Sequence, residues 1–134
     1  MRVRVLFVCS GNAHRSPLAE ALLRKLRPDL DVDSAGVRPV VPISEEARRF
    51  LARDGAEGFL KGFPEGLETK RLGQYDLIVV MESRHRDVVL SLCPECAGRI
   101  VVWNIEDPYF LPREFGERIY EQIRQRVRVL ADSL

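Results

Sequence analysis

An apolar run, a polar loop and a helix start follow one another near the amino terminus, and this succession constrains the fold most. The run Val3–Val8 is rich in β-branched and aromatic residues, which is typical of a strand buried on both faces of a parallel sheet. Pro17 suits the first turn of a helix, and Ser16 is placed to cap it. An apolar stripe from Leu18 to Leu26 continues that helix until Pro28 ends it.

The loop between this strand and helix has the composition of an anion site. Successive backbone N–H groups and the helix dipole converge at such a loop, and Gly11 permits a backbone path that a side chain would obstruct. We expect Asn12 to hold the loop closed through both ends of its amide. The predicted phosphate-binding residues are Ser10, Gly11, Asn12, Ala13, His14, Arg15 and Ser16.

Cys9 and Arg15 stand at the two ends of this loop. The dipoles and the guanidinium that favour a bound phosphate also favour a thiolate, which is the nucleophilic form of cysteine. The Ser16 hydroxyl is placed to donate a further hydrogen bond to the sulfur. Arg15 offers a planar fork of donors that matches two phosphoryl oxygens. Cys9 is therefore the candidate nucleophile, and Arg15 the candidate phosphate clamp.

The segments Val8–Asn12 and Arg15–Pro17 resemble the phosphate loop of the low-molecular-weight protein tyrosine phosphatases. A cysteine and an arginine at this spacing alone are a weak signal. Gly-Asn inside the loop, Ser-Pro behind it and a buried strand in front make the resemblance specific. Two positions depart from the family: many members carry a bulky aliphatic residue or threonine at Ala13 and a second cysteine at His14.

The resemblance also implies a general acid in an Asp-Pro dipeptide far along the chain, and Asp107-Pro108 fits. A carboxylic acid over the cleft can protonate the leaving oxygen, and Pro108 restricts Asp107 to extended backbone angles. The aromatic residues nearby are candidates to line a slot for an aromatic substrate, although one of them, Trp103, is equally suited to the core. These candidates are Trp103, Tyr109 and Phe110.

Short apolar runs alternate with amphipathic stretches along the whole chain. Beyond the first strand and helix, the predicted strands are Leu30–Ser34, Tyr75–Met81 and Arg99–Trp103, and the predicted helices are Ser44–Gly55, Ser83–Leu92 and Glu114–Leu134. This alternation predicts a single α/β domain over residues 1–134. We expect a small, doubly wound, four-stranded parallel sheet with helices on both faces and the phosphate loop after strand one. Cys9 and Asp107 then both fall at carboxyl ends of strands.

Several other features have a structural and a functional interpretation. The glycine-rich segment 56–69 is either a plain connection, which we favour, or a specificity element. We expect His14 to pack or hydrogen-bond outside the site and His85 to face solvent, and two histidines without partner spacing predict no metal site. Cys93 and Cys96 predict, in order of preference, a helix-terminating turn, a disulfide or an intersubunit metal site.

Composition argues against several partner classes. The net charge of the 134 residues is +1, which gives no reason to expect a nucleic-acid or membrane partner. No signal peptide or membrane span is visible, and a free nucleophilic cysteine suits a reducing compartment, so we expect a cytoplasmic protein. We expect a monomer or weak dimer that acts on a phosphorylated protein or a small phosphomonoester.

Together, the residues and the resemblance predict a cysteine-dependent protein tyrosine phosphatase that works through a phosphocysteine intermediate without metal or cofactor. Three alternatives stay open. Cys93 and Cys96 allow a thioredoxin-linked arsenate reductase, and Ala13 leaves a protein arginine phosphatase open. A non-enzymatic phosphoprotein-binding or phosphocarrier module is the third, although binding alone needs no general acid.

Overall fold

The computed structural model describes residues 2–134, in which strands and helices alternate along the chain. The elements are β1 (Arg4–Cys9), α1 (Arg15–Leu26), β2 (Asp31–Gly36), α2 (Glu45–Arg53), β3 (Leu77–Val80), α3 (Ser83–Leu92), β4 (Ile100–Val102) and α4 (Glu114–Ser133). Short 3-10 turns fill most of the connections. Each predicted strand and helix is present. The strands are shorter than predicted at some ends, because Tyr75 follows one 3-10 turn and Arg99 ends another.

All four strands are parallel and lie in the order β2-β1-β3-β4. β1 is therefore central: Val8 lies beside Ala35 of β2 on one side and Val80 of β3 on the other. β4 lies at the edge, with Val102 beside Val80. The predicted four-stranded parallel sheet is confirmed.

The sheet separates two apolar cores, and alternate residues of β1 point into each. Val5 and Phe7 pack with residues of α1, α2 and α4 on one face. Leu6 and Val8 pack on the other face with Val89 of α3 and with the connection that leads into β3. Helices thus cover both faces, as predicted for a doubly wound sheet. Among residues 2–134, no helix is both long enough and apolar enough to cross a bilayer.

Two helix starts test the capping predictions. Ser44 caps α2, and its hydroxyl accepts a hydrogen bond from the Ala47 amide at 3.2 Å, as predicted. The prediction that Ser16 caps α1 is wrong. α1 begins at Arg15, two residues before the predicted first residue Pro17, and the Ser16 side chain bonds to Cys9 and Asn12 instead.

Cys93 and Cys96 form a disulfide where α3 ends, so the preferred interpretation as a plain turn is wrong. Both sulfurs belong to the apolar core on the α3 face, where each cysteine is less than 4% exposed. The disulfide precedes the amino end of β4, whose first residue Ile100 lies beside Ile78 of β3. Cys9, in contrast, lies at the carboxyl end of β1. Because the strands are parallel, the disulfide and Cys9 lie at opposite ends of the sheet.

Candidate active site

The loop after β1 is held open by its neighbours in the fold. Three of its carbonyls accept backbone hydrogen bonds from the segment that follows β2: Val37 donates to Cys9 (3.1 Å), Arg38 to Ser10 (2.8 Å) and Ser44 to Ala13 (2.8 Å). In a trans peptide the C=O and the following N–H point in opposite directions. The amides that follow these three carbonyls therefore face the inside of the loop.

Asn12 is the fully buried centre of the loop. Its φ of 51° lies in the left-handed region that asparagine tolerates better than most residues. Its Nδ2 donates to Ser16 Oγ and to Ser34 Oγ, both at 2.9 Å. Its Oδ1 accepts from the Glu65 amide at 2.8 Å and from Lys61 at 2.7 Å. These four hydrogen bonds hold an otherwise unfavourable backbone conformation in place.

Cys9 ends β1 with its side chain almost fully buried, at 2% exposure. Its Sγ lies 2.9 Å from Ser16 Oγ. Because Ser16 Oγ already accepts a hydrogen bond from Asn12, its own proton is available for the sulfur. The predicted contact between the Ser16 hydroxyl and the sulfur is thus present.

The Arg15 guanidinium is 2% exposed and lies beside two carboxyl groups, those of Glu82 and Asp107. Its Nη1 donates to Glu82 Oε2 and to the Ile105 carbonyl, each at 2.7 Å. Its Nη2 lies 3.5 Å from Asp107 Oδ2. Arg15 is therefore anchored through one nitrogen, while the other faces the loop and Asp107.

Glu82 lies at the start of α3 and binds two arginines. Burial would raise the pKa of Glu82, but hydrogen bonds from Arg84 and Arg15 outweigh it and lower that pKa to about 2. Arg84, which is largely exposed, also donates to Ser10 Oγ at 2.8 Å. A carboxylate that stays ionised is the partner that a buried guanidinium needs.

The prediction that His85 faces solvent is wrong, because its side chain is fully buried. Its Nδ1 accepts from the Glu82 amide at 3.1 Å, so the proton resides on Nε2, which lies 2.9 Å from Ser10 Oγ. Burial and the neighbouring Arg15 lower the pKa of His85 to about 4. His85 is therefore a neutral donor that orients the Ser10 hydroxyl.

Asp107 follows β4 and caps the 3-10 turn Pro108–Phe110, accepting from the Tyr109 amide at 3.0 Å. Its backbone is extended, as the following proline predicts. Tyr109 and Phe110 form an edge-to-face pair and are 73% and 85% exposed. Trp103 instead lies in the core at 5% exposure, with its ring 5.5 Å from that of Phe7. It does not join an aromatic slot.

His14 binds away from the loop interior, where its Nδ1 lies 3.0 Å from Ser44 Oγ. Burial, followed by the nearby Arg15, lowers the pKa of His14 to about 4. Within residues 2–134, no three His, Cys, Asp or Glu side chains come together in a way that would suit a metal ion.

The structure brings together the predicted Cys9, Arg15, Asp107 and loop residues, and it adds others that sequence reasoning missed. Glu82, Arg84 and His85 follow β3. A signal for them existed, because β3 lies beside β1 and its carboxyl end must reach the same sheet edge. Lys61 and Glu65 lie in the segment interpreted as a plain connection, yet both bind Asn12. No spacing rule in the sequence points to them.

The model of the low molecular weight phosphotyrosine protein phosphatase family matches residues 4–134. The chain belongs to this family. Its relatives include the low molecular weight protein-tyrosine-phosphatase Wzb of Escherichia coli K12. Wzb is 33% identical over 138 residues, which cover 97% of this chain and 94% of the relative.

Solved structures of family members are similar to this chain over nearly its full length. Vibrio vulnificus Wzb, solved in complex with benzylphosphonate, has a TM-score of 0.89 at 27% identity and covers 100% of both chains. The YwlE arginine phosphatase from Geobacillus stearothermophilus has a TM-score of 0.87 at 27% identity, covering 98% of this chain and 92% of that one. The fold is thus shared by phosphatases named for two kinds of phosphorylated side chain.

Proposed function

We propose that this family member hydrolyses phosphotyrosine in proteins, with Cys9 as nucleophile, Arg15 as phosphate clamp and Asp107 as general acid. One observation carries the proposal: these three side chains, from β1, α1 and the loop after β4, lie together at the carboxyl ends of the parallel strands. The contact between Arg15 Nη2 and Asp107 Oδ2, at 3.5 Å, links the predicted acid to the loop.

In the first step, the Cys9 thiolate attacks phosphorus in line with the leaving oxygen. The S–P bond forms as the P–O bond breaks, and Asp107 gives its proton to the departing oxygen. Arg15 Nη2 and the inward-facing amides bind the equatorial oxygens, whose charge grows in the transition state. Nη1 stays bound to Glu82 and the Ile105 carbonyl, so the guanidinium does not need to reorganise.

In the second step, Asp107 is a carboxylate and takes a proton from a water molecule that attacks the phosphocysteine. The S–P bond breaks, inorganic phosphate is released and the Cys9 thiolate is regenerated. Ser16 supports the sulfur in both steps, because its hydroxyl proton stabilises the thiolate as attacking and as leaving group.

Two features support an aromatic phosphoester as substrate. Tyr109 and Phe110 are exposed beside Asp107 and offer ring faces and edges to a phenol. Cys93 and Cys96 are bonded to each other at the far end of the sheet, which does not favour a cysteine relay of the arsenate-reductase type.

We further propose that the protein acts in the cytoplasm, as its composition predicts.

The test compares turnover of phosphotyrosine, phosphoarginine and phosphoserine peptides, with arsenate reduction measured alongside, in the native protein and in Cys9→Ser. We expect the native protein to prefer phosphotyrosine. Cys9→Ser should lose turnover but still bind vanadate, since Arg15 and the amides remain. A preference for phosphoarginine, measurable arsenate reduction, or an active Cys9→Ser variant would overturn the proposal.

A further inference from the structure

Lys61 is a buried lysine whose ammonium group lies directly behind the phosphate loop. Its side chain is only 9% exposed. Nζ donates to Asn12 Oδ1 at 2.7 Å and to the Ser34 carbonyl at 3.0 Å, and it pairs with Glu65 at 2.8 Å. A lysine is seldom buried to this extent without a specific partner.

The contacts of Lys61 determine which way the Asn12 amide faces. An amide oxygen has two acceptor sites, and on Asn12 these receive Lys61 Nζ and the Glu65 amide. The reversed amide would turn its two N–H donors toward an ammonium group and another N–H. Lys61 and the Glu65 amide together therefore hold Nδ2 on the side of Ser16 and Ser34.

The orientation of the Asn12 amide sets the direction of the next hydrogen bond, which leads to the sulfur. Asn12 Nδ2 donates to Ser16 Oγ, so the Ser16 hydroxyl proton is left to donate to Cys9 Sγ. Ser34 does not compete for this role, because it donates to Glu20 at 2.5 Å. We propose that Lys61 is a positioning residue. It orients the series of hydrogen bonds from Asn12 through Ser16 to Cys9 so that Ser16 donates a hydrogen bond to the thiolate. This inference rests on the proposed role of Cys9 as nucleophile.

The charged groups around Lys61 supply a matched control. Glu65 pairs with Lys61 and also with Lys70, which in turn binds Asp33 at 2.7 Å. Glu20 lies behind Ser34. Lys70 is as buried as Lys61, at 9% exposure, and belongs to the same ion-pair cluster, but its ammonium binds Asp33 and Glu65 rather than Asn12. Lys70→Met thus removes a comparable charge without touching the chain that leads to Cys9.

The test is the rate of Cys9 alkylation by iodoacetamide as a function of pH, in native protein, Lys61→Met and Lys70→Met. We expect Lys61→Met to move the profile toward alkaline pH by about one unit. Its kcat for p-nitrophenyl phosphate should fall about tenfold, with a smaller change in KM. Lys70→Met should leave the alkylation profile in place. Equal shifts in the two variants, or no shift in Lys61→Met, would overturn the proposal.

A double-mutant cycle separates positioning from general loss of structure. In an Asn12→Ala background, Lys61→Met should cause no further shift of the alkylation profile, and an undiminished shift would show that Lys61 does not act through Asn12. If Lys61→Met does not fold by circular dichroism, Lys61→Gln is used in the same comparison. Alkylation needs no substrate, so it tests Lys61 even if the native protein fails to hydrolyse phosphotyrosine.

Discussion

Arg15 is bound unequally by its two carboxylates, and the difference fits their separate roles. Glu82 Oε2 lies 2.7 Å from Arg15 Nη1, and the pKa of Glu82 is lowered to about 2, so this carboxylate stays ionised. Asp107 Oδ2 lies 3.5 Å from Arg15 Nη2. A buried guanidinium without a partner would be strongly destabilising, and Glu82 supplies that partner permanently. Asp107 is thereby free to exchange its proton with a leaving group and with water.

The role of Asp107 predicts a leaving-group dependence in Asp107→Asn. An alkyl alcohol needs a proton to depart, whereas p-nitrophenolate leaves almost unaided. We expect the variant to lose about a hundredfold or more on an alkyl phosphate and distinctly less on p-nitrophenyl phosphate. The alkaline limb of the native pH–rate profile should also disappear. Steady-state kinetics on both esters checks this, and equal losses with an unchanged profile would exclude Asp107 as the acid.

His85 predicts a pH dependence of stability. Its pKa is about 4 in the folded protein, below the 6.5 of an exposed histidine. As the pH falls, the unfolded chain therefore binds the proton first. The contribution of buried, neutral His85 to the unfolding free energy is complete above pH 6.5 and is lost as the pH falls toward 4. Between pH 7 and 4.5, His85→Gln should lose about 2 kcal/mol less unfolding free energy than the native protein. Urea titrations at both pH values measure this, and parallel losses would contradict it.

What the sequence reveals at this scale depends on whether a residue's role is local. Cys9, Arg15 and Ser16 are predictable because one short loop sets their geometry. His85 and Lys61 look like ordinary polar residues in the sequence. Their burial follows from which strands become neighbours and from how segment 56–69 folds back onto Asn12, and neither is encoded in local spacing. Ser16 is predicted both to cap α1 and to contact the thiol, and only the contact with the thiol is present in the structure.

At the scale of elements, the end of β2 supports the phosphate loop through a glycine. Gly36 lies beside Cys9 in the sheet register. A Cβ atom on Gly36 would come within 2.7 Å of the Asn12 nitrogen and within 2.9 Å of the Ser10 oxygen. These neighbours are backbone atoms, which cannot move aside as a flexible side chain can. β2 therefore fixes the position of the loop by direct contact.

This contact predicts that Gly36→Ala impairs catalysis more than stability. The added methyl must displace the loop, and a displacement of about 1 Å can cost a hundredfold in rate. We expect kcat/KM to fall by about that factor, while the unfolding free energy falls by about 1–3 kcal/mol. Gly98→Ala is the control, because a Cβ there meets nothing within 4 Å. A fully active Gly36→Ala enzyme would contradict the account.

The Cys93–Cys96 disulfide joins the end of α3 to the 3-10 turn before β4, away from the chemistry. Closing so short a loop predicts a loss of about 2 kcal/mol in unfolding free energy for Cys93→Ala/Cys96→Ala, with kcat unchanged.

The position of the disulfide also predicts how Cys9 responds to oxidation. Neither Cys93 nor Cys96 reaches Cys9 to trap its sulfenic acid, so Cys9 should oxidise further to the irreversible sulfinic acid. After a brief peroxide pulse, dithiothreitol should therefore restore little activity in either the native protein or the double variant. Recovery that is present in the native protein and lost in the double variant would reveal a relay.

At the scale of the whole molecule, parallel topology assembles the site. β1, β3 and β4 all end at one edge, which brings the phosphate loop, Glu82 and Asp107 together from distant parts of the chain. This much was predictable from the alternation of apolar runs and amphipathic stretches. The roles of segment 56–69 and of Cys93 with Cys96 were not, because they arise from packing against the finished sheet.

The central claim, that Cys9 carries the phosphoryl group, is tested most directly by trapping the intermediate. The protein is mixed rapidly with p-nitrophenyl phosphate, quenched within the first turnover, digested and analysed by mass spectrometry. We predict a phosphoryl group on Cys9, and a larger trapped fraction in Asp107→Asn, which lacks the base for the second step. Turnover with no phosphorylated Cys9 at any quench time, or with the phosphoryl group on another residue, would contradict the account.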